Sequence, residues 1–258
     1  MLGLSRKRLY VIGGRTSQGK TTLALQIAMD MAKQGKKVYF LSFEMDEQEL
    51  MLRMLANMCE IDANEIRFNI SKHIGMTDKL REYFAREDSF PLLLTYNVGL
   101  TVDELNAVIE DLPKPDLVIV DYIQSIKKID LDKLTSMNNY IVDFRRLCVE
   151  HNFCGILVSQ INRGAMDTND KKPNLWQLKG TGVIEEHSDM VMLLHWEYFY
   201  TQDISNKHRF FIAIAKNRQG DTSTVQLEYI PECYKFKEIG DNVGYVKEVT
   251  EIFKGEEV

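Results

Sequence analysis

The 258-residue sequence predicts an α/β fold on a mostly parallel central sheet flanked by helices, with an antiparallel C-terminal extension. Three observations predict it. Short apolar runs alternate with amphipathic stretches along the chain. The early apolar runs, such as Leu117-Val118-Ile119-Val120, are nearly continuous, as in strands covered by helices on both faces. A glycine-bearing loop, Gly14 to Thr21, joins the first apolar run to the first amphipathic stretch.

Strands are expected at Leu9–Ile12, Lys37–Ser42, Leu92–Tyr96, Leu117–Asp121 and Gly155–Ser159, then at Met190–His195, Phe210–Lys216 and Thr224–Tyr229. Helices fill the gaps. Thr21–Gln34 repeats apolar residues four apart at Leu23, Ile27 and Met31, and Gly35 follows as a C-terminal stop. Asp46–Cys59 opens on Asp46 with Glu49 three residues on, the spacing of a capping box, and Thr101–Asp111 repeats it with Thr101 and Glu104. Asp132–His151 is a longer amphipathic stretch. From about Trp196 strand outweighs helix, which reads as an extension of the same sheet. The whole chain, 1–258, is therefore expected to form one domain, with 1–8 as a short lead and 235–258 as a C-terminal extension.

Composition bounds the function. The chain is 45% hydrophobic and 27% charged, enough for a large core, and no apolar run is long enough to span a membrane. With 15 Gly and 5 Pro it is neither collagen-like nor low-complexity. Cys59, Cys148, Cys154 and Cys233 lack CxxC spacing and read as reduced, packed thiols of a cytoplasmic protein, without a disulfide framework or a zinc site. The net charge of −6 argues against a wholly basic nucleic-acid surface, though not against local basic loops. The five histidines show no metal spacing.

The strongest chemical signal is Gly14-Arg15-Thr16-Ser17-Gln18-Gly19-Lys20-Thr21, a full G-x-x-x-x-G-K-[ST] match. Its glycines let backbone N–H groups curl around phosphates, and the helix beginning near Lys20 points its positive end at them. Lys20 is expected to neutralise β- and γ-phosphate oxygens, and the Thr21 hydroxyl to ligate Mg²⁺. Asp121, ending the strand Leu117–Asp121, reads as a water-mediated Mg²⁺ holder; an Asp at a strand end is otherwise a turn residue. Glu44, just past the strand Lys37–Ser42, reads from position alone either as the general base for an attacking water or as a surface acid in a turn.

Together these motifs resemble the C-terminal ATPase domain of DnaB-type replicative helicases, within the RecA-like superfamily, from about Arg8 to about Tyr229. The phosphate loop continues as Gly19-Lys20-Thr21-Thr22, as is common there. Ser42-Phe43-Glu44-Met45 and the following Glu49–Leu55 resemble the family's S-L-E-M segment and helix, which implies that Glu44 is the catalytic glutamate. Gly99-Leu100-Thr101 with Glu104, Asp121-Tyr122-Ile123-Gln124 and Ser159-Gln160-Ile161-Asn162-Arg163 resemble G-L-T-x-x-E, D-Y-L-Q and S-Q-L-N-R. By resemblance Gln160 senses the γ-phosphate and couples it to the DNA loops.

Leu178-Lys179-Gly180-Thr181-Gly182-Val183-Ile184-Glu185 aligns with L-R-E-S-G-x-I-E, whose loop grips single-stranded DNA. Lys179 stands for Arg, Gly180 for Glu, and His187-Ser188-Asp189 departs from D-A-D. Lys216-Asn217-Arg218-Gln219-Gly220 resembles K-x-R-x-G, which implies that Lys216 and Arg218 reach the neighbouring subunit's nucleotide; otherwise they are a basic strand end in water. Arg163, Lys171, Lys172 and Lys179, with Gly180 and Gly182, are the expected DNA-contacting set. Trp176 reads as packing the loop's base more than as stacking on a nucleobase.

The resemblance implies an ATP-hydrolysing 5′–3′ helicase, a homo-oligomeric ring, most simply a hexamer, on single-stranded DNA in replication. Its implied partners are a primase, a helicase loader or a separate N-terminal-domain chain, with no membrane. Family members carry an N-terminal domain and linker helix, whereas here the phosphate loop begins at Gly14, so the chain is expected to be a monomer or weak oligomer without nucleotide. Two competing readings are an ATP-binding assembly or regulatory partner of a helicase with little unwinding of its own, and a recombination-type branch-migration ATPase.

Overall fold

The computed structural model describes residues 3–69, 90–97, 99–125, 133–161, 172–178 and 181–239. In chain order the main elements are β1 (Leu9–Gly14), α1 (Lys20–Lys33), β2 (Val38–Ser42), α2 (Glu47–Cys59), α3 (Ala63–Asn69) and β3 (Leu92–Tyr96). They continue with α4 (Val102–Asp111), β4 (Leu117–Asp121), α5 (Lys133–Glu150), β5 (Cys154–Gln160) and α6 (Thr181–His187). The last are β6 (Met190–Trp196), α7 (Tyr198–Thr201), β7 (Arg209–Asn217), β8 (Ser223–Ile230) and β9 (Lys235–Glu238).

Local chemistry sets the helix ends as the sequence expects. Asp46 accepts a hydrogen bond from the Glu49 N–H, while the Glu49 carboxylate turns to Arg53 and Arg67 instead of closing the box. Thr101 and Glu104 close theirs fully. Gly35, at φ 77°, takes the left-handed turn that ends α1.

The nine strands form one sheet in the order β3-β2-β4-β5-β1-β6-β7-β8-β9. β3 to β6 of that order run parallel, and β7, β8 and β9 continue it antiparallel from β6. Side chains alternate between two cores. Ile12, Phe40, Ile119 and Ile156 meet Leu23 and Ile27 of α1 and Leu50 and Met54 of α2. Val11, Leu41, Val118 and Leu157 meet Leu105 of α4 and Tyr140, Phe144 and Leu147 of α5. The two-sided burial of β4 explains its unbroken apolar run.

β9 lies within Lys235 to Val258, for which the sequence predicts only an extension beyond the resemblance. It pairs with β8, and Phe236 enters the first core against Phe210 and Tyr229. All four cysteines are buried and unbridged. No helix among the described residues is long and apolar enough to cross a membrane.

Candidate functional site

Chain direction changes around β1: α1 carries the chain to β2 on one side, while β6 lies on the other. In an open α/β sheet this switch leaves a crevice at the carboxyl ends of the strands. The loop Gly14–Gly19 fills it. Gly19 sits at φ 73°, a left-handed conformation that favours glycine, and a Cβ there would lie a tight 3.3 Å from the Phe236 ring. Ser17 also takes a left-handed φ, 62°. Gln18 is buried and accepts from the Trp196 N–H at 2.7 Å, while the Arg15 guanidinium lies over the Tyr200 ring at 5.3 Å. Those two side chains tie the loop to β6 and α7. Gly14 pairs with Gln160 on β5.

A cavity of about 290 Å³ opens beside this loop. It is lined by Thr16, Ser17, Gly19, Lys20, Thr21 and Thr22 from the loop and α1, by Glu44 and Asp121, and by Gln160. The register explains the gathering. β2 and β4 pair Ser42 with Asp121, so the residues just past β2 sit beside the end of β4. The Ser42 hydroxyl donates to the Met45 carbonyl at 2.6 Å and accepts from the Met45 N–H at 3.0 Å, and this turn leaves Glu44 exposed at the cavity. Gln160 donates from Nε2 to Thr16 Oγ1 at 2.7 Å.

The charges are held in an unrelieved state. Asp121 is 2% exposed, and burial pushes its carboxyl up to about 6, while the Thr21 hydroxyl's hydrogen bond and the Lys20 charge hold it down. Burial lowers the Lys20 ammonium to about 8 against the pull of Asp121 and Glu44. Lys20 donates to the Arg15 carbonyl at 2.7 Å, within its own loop.

Five further residues line the cavity without a role expected from the sequence: Met45 and Tyr122 beside Glu44 and Asp121, Arg53 of α2, Tyr229 of β8 and Tyr234. The Arg53 guanidinium stands 4.7 Å over the Tyr234 ring and its Nε donates to Glu49 at 3.1 Å. The i, i+4 spacing of Glu49 and Arg53 was the available signal for their pairing, but nothing local pointed either residue at the cavity.

Lys216 and Arg218 lie elsewhere. β7 runs antiparallel to β6 and pairs Lys216 with Val191, and the Arg218 N–H donates to the Asp189 carbonyl, whose own N–H donates to Leu9 at the start of β1. Arg218 is thus level with the amino end of β1, five residues or about 17 Å along the strands from Gly14, while Lys216 is level with Val11, about 10 Å along, and turns its ammonium toward the same end. Lys216 donates to the carbonyls of Glu185 and Ser188, and Arg218 to that of Glu186, at the C-terminal end of α6.

Of the expected DNA-contacting residues, Lys172 is exposed, and Gly182 lies in the first turn of α6 with open space where a Cβ would stand. Arg163, Lys171, Lys179 and Gly180 fall outside the described residues. Trp176, expected to pack the loop's base, is 62% exposed in the 3₁₀ turn Leu175–Gln177. Ile161 and Leu178, on either side of that segment, pair in an antiparallel bridge.

The sequence profile of the DnaB-like helicase C-terminal domain matches residues 1–238. The chain belongs to that family. The match includes β9 and so reaches past Tyr229, where the resemblance in the sequence ended. The replicative DNA helicase DnaB of Geobacillus stearothermophilus is 28% identical over 249 residues, covering 91% of this chain and 53% of that protein. A probable plasmid replicative DNA helicase of Chlamydia psittaci is 28% identical over 239 residues, with 88% and 50% covered. The chain therefore spans about half the length of these DnaB-like relatives.

Two solved structures share the fold. One, described as an ATPase domain, superposes with a TM-score of 0.82 at 24% identity, covering 92% of this chain and 86% of that one. A DnaB-like replicative helicase described with its interactions with primase gives 0.83 at 24% identity, covering 92% and 59%.

Proposed function

We propose that this chain is the ATP-hydrolysing motor domain of a replicative DNA helicase, working as a homo-oligomeric ring on single-stranded DNA. One observation carries the reading. A lysine of the glycine loop, a hydroxyl–carboxylate pair, an exposed carboxylate and a strand-tip glutamine converge on one cavity at the carboxyl ends of the parallel strands, while the two cations of the Lys216–Arg218 segment stand toward the amino ends. If those cations act on a phosphoryl group, it is another subunit's.

The chemistry follows from the geometry. The loop N–H groups and Lys20 hold the ATP phosphates. Glu44 orients a water and takes its proton as the water oxygen bonds to the γ-phosphorus and the bond to the bridging oxygen breaks, giving ADP and inorganic phosphate. Gln160 meets the γ-phosphate from the far side of the loop, and Lys216 and Arg218 of a neighbouring copy offset the charge of the transition state.

Thr21 and Asp121 fit Mg²⁺: both offer hard oxygens, and burial of the Asp121 carboxyl outweighs the pull of Lys20 and Arg53, which leaves a further cation favourable there. No three His, Cys, Asp or Glu side chains gather for a metal among the described residues, which suits an ion shared with substrate phosphates. When bound, Mg²⁺ supplies charge neutralisation at the β- and γ-oxygens.

Replication partners belong to the same reading: a primase, a helicase loader and N-terminal parts on this or a separate chain. So do the hexameric state, the 5′–3′ direction, the single domain and a cytoplasmic setting, which the four unbridged thiols favour. Steady-state ATP hydrolysis across protein concentration, with and without single-stranded DNA and with Lys20→Ala as control, tests it. A rate per subunit that rises with concentration and with DNA supports the motor. A flat, DNA-independent rate, or none beyond the Lys20→Ala background, removes it in favour of an ATP-binding partner of a helicase.

A further inference from the structure

Gln160 owes its place to a second glutamine, 36 residues earlier. β4 and β5 run side by side, and their last pair is Val120 with Leu157. β4 then leaves the sheet after Asp121, while β5 runs on to Gln160. On that side the backbone of Gln160 has no strand to pair with, and a backbone amide left unpaired in a half-buried position is costly.

The chain returns in the 3₁₀ turn Ile123–Ser125 and sets the carboxamide of Gln124, 9% exposed, in the vacant place. Its Oε1 accepts from the Gln160 N–H at 3.1 Å, and its Nε2 donates to the Gln160 carbonyl at 3.2 Å and to Ser159 Oγ at 3.0 Å. One side chain thus imitates the missing rung of a β-ladder. On the other side β1 pairs Gly14 with Gln160, and the Ile161 N–H donates to the Gly14 carbonyl at 3.1 Å. With its backbone gripped from both sides, Gln160 has a fixed Cα–Cβ direction, and its Nε2 meets Thr16 Oγ1.

We propose that Gln124 is a positioning residue for ATP hydrolysis, whose carboxamide clamps the backbone of Gln160 and so aims its side chain into the phosphate cavity. The inference rests on the role given to Gln160 above. It also predicts sensitivity beyond the cavity, because the clamped strand tip leads directly into the Ile161–Leu178 bridge.

The test is a double-mutant cycle on ATP turnover by the full chain, with thermal melting to confirm folding. Gln124→Met keeps length and volume and removes donor and acceptor. We expect its kcat to fall about 10- to 100-fold while KM for ATP stays within about twofold. Gln124→Met/Gln160→Ala should turn over no more slowly than Gln160→Ala alone, within about twofold, because the first residue acts through the second.

Wild-type kcat in Gln124→Met with a loss in Gln160→Ala overturns the inference and leaves the functional reading standing. So does a Gln124→Met defect that multiplies with that of Gln160→Ala. A wild-type rate in Gln160→Ala overturns both. If Gln124→Met melts below the assay temperature, Gln124→Glu, of equal length and still an acceptor for the Gln160 N–H, takes its place with the same outcomes.

Discussion

Asp121 shows how a site residue is made costly by its surroundings. Its carboxyl titrates near 3.8 in an unfolded chain and at about 6 in the fold, because burial disfavours the charge more than Thr21 and Lys20 restore it. Below pH 3.8 both states keep the proton. Between pH 3.8 and 6 only the folded state keeps it, so stability falls as pH rises through that window and stays lower above it. Asp121→Asn should therefore be the more stable protein at pH 7 without nucleotide, by up to about 3 kcal/mol, with the gap closing toward pH 4. Melting curves of both proteins across pH check this; a gap that does not change with pH contradicts it. The same variant should hydrolyse ATP poorly, since the carboxylate is what a phosphate-bound cation needs. For Glu44→Gln we expect a kcat loss of about 10²- to 10⁴-fold with nucleotide binding retained, measured by turnover and by equilibrium titration. An unchanged kcat would return Glu44 to the status of a surface acid.

At the scale of elements, the packing of α5 on β5 supports the strand that ends in Gln160. A Cβ at Gly155 would lie 2.4 Å from Cys148 Sγ and 2.7 Å from the Phe144 ring, both fully buried. Gly155→Ala should cost about 1–3 kcal/mol as α5 is pushed off the sheet, read from denaturant unfolding. A neutral result would mean that α5 shifts freely. Element ends were legible where chemistry is local. The Thr101–Glu104 box, the Asp46 cap and Gly35 lie within a few residues of the ends they set. β9 was not legible: Lys235-Phe236-Lys237-Glu238 is short and charged, and it becomes a strand only because β8 offers an edge and Phe236 fills the core beside Tyr229. α3 and the short α6 and α7 were likewise not anticipated, being too brief for periodicity to speak.

For the whole molecule, the proposed function needs two groups of residues that the fold places toward opposite ends of the parallel strands. The phosphate loop lies at the carboxyl end of β1, and Lys216 and Arg218 lie toward its amino end, held meanwhile by the last carbonyls of α6. Mixing Lys20→Ala with Arg218→Ala tests whether the two groups meet between copies. Each variant alone should be inactive, while an equal mixture should regain turnover at about a quarter of its interfaces, where an intact Lys20 faces an intact Arg218. No recovery would mean that Arg218 does not act in trans. The mixture is measured with nucleotide and single-stranded DNA present.

The sequence alone determined the parallel strands, the glycine loop and the candidate Asp121, because each signal is carried by a few adjacent residues with a short-range physical cause; Glu44 and Gln160 became candidates only through the resemblance of their segments to a known family. Only the tertiary structure decided that Arg53, Tyr229 and Tyr234 share the cavity, that Gln124 completes the ladder beside Gln160, and that Lys216 and Arg218 stand toward the amino ends of the parallel strands. Those facts depend on strand order and register, and β1 pairs with β5 and β6 across more than 140 residues of chain. Contacts at that separation are chosen by two-sided burial and ladder geometry, which leave little mark in any local run of residues.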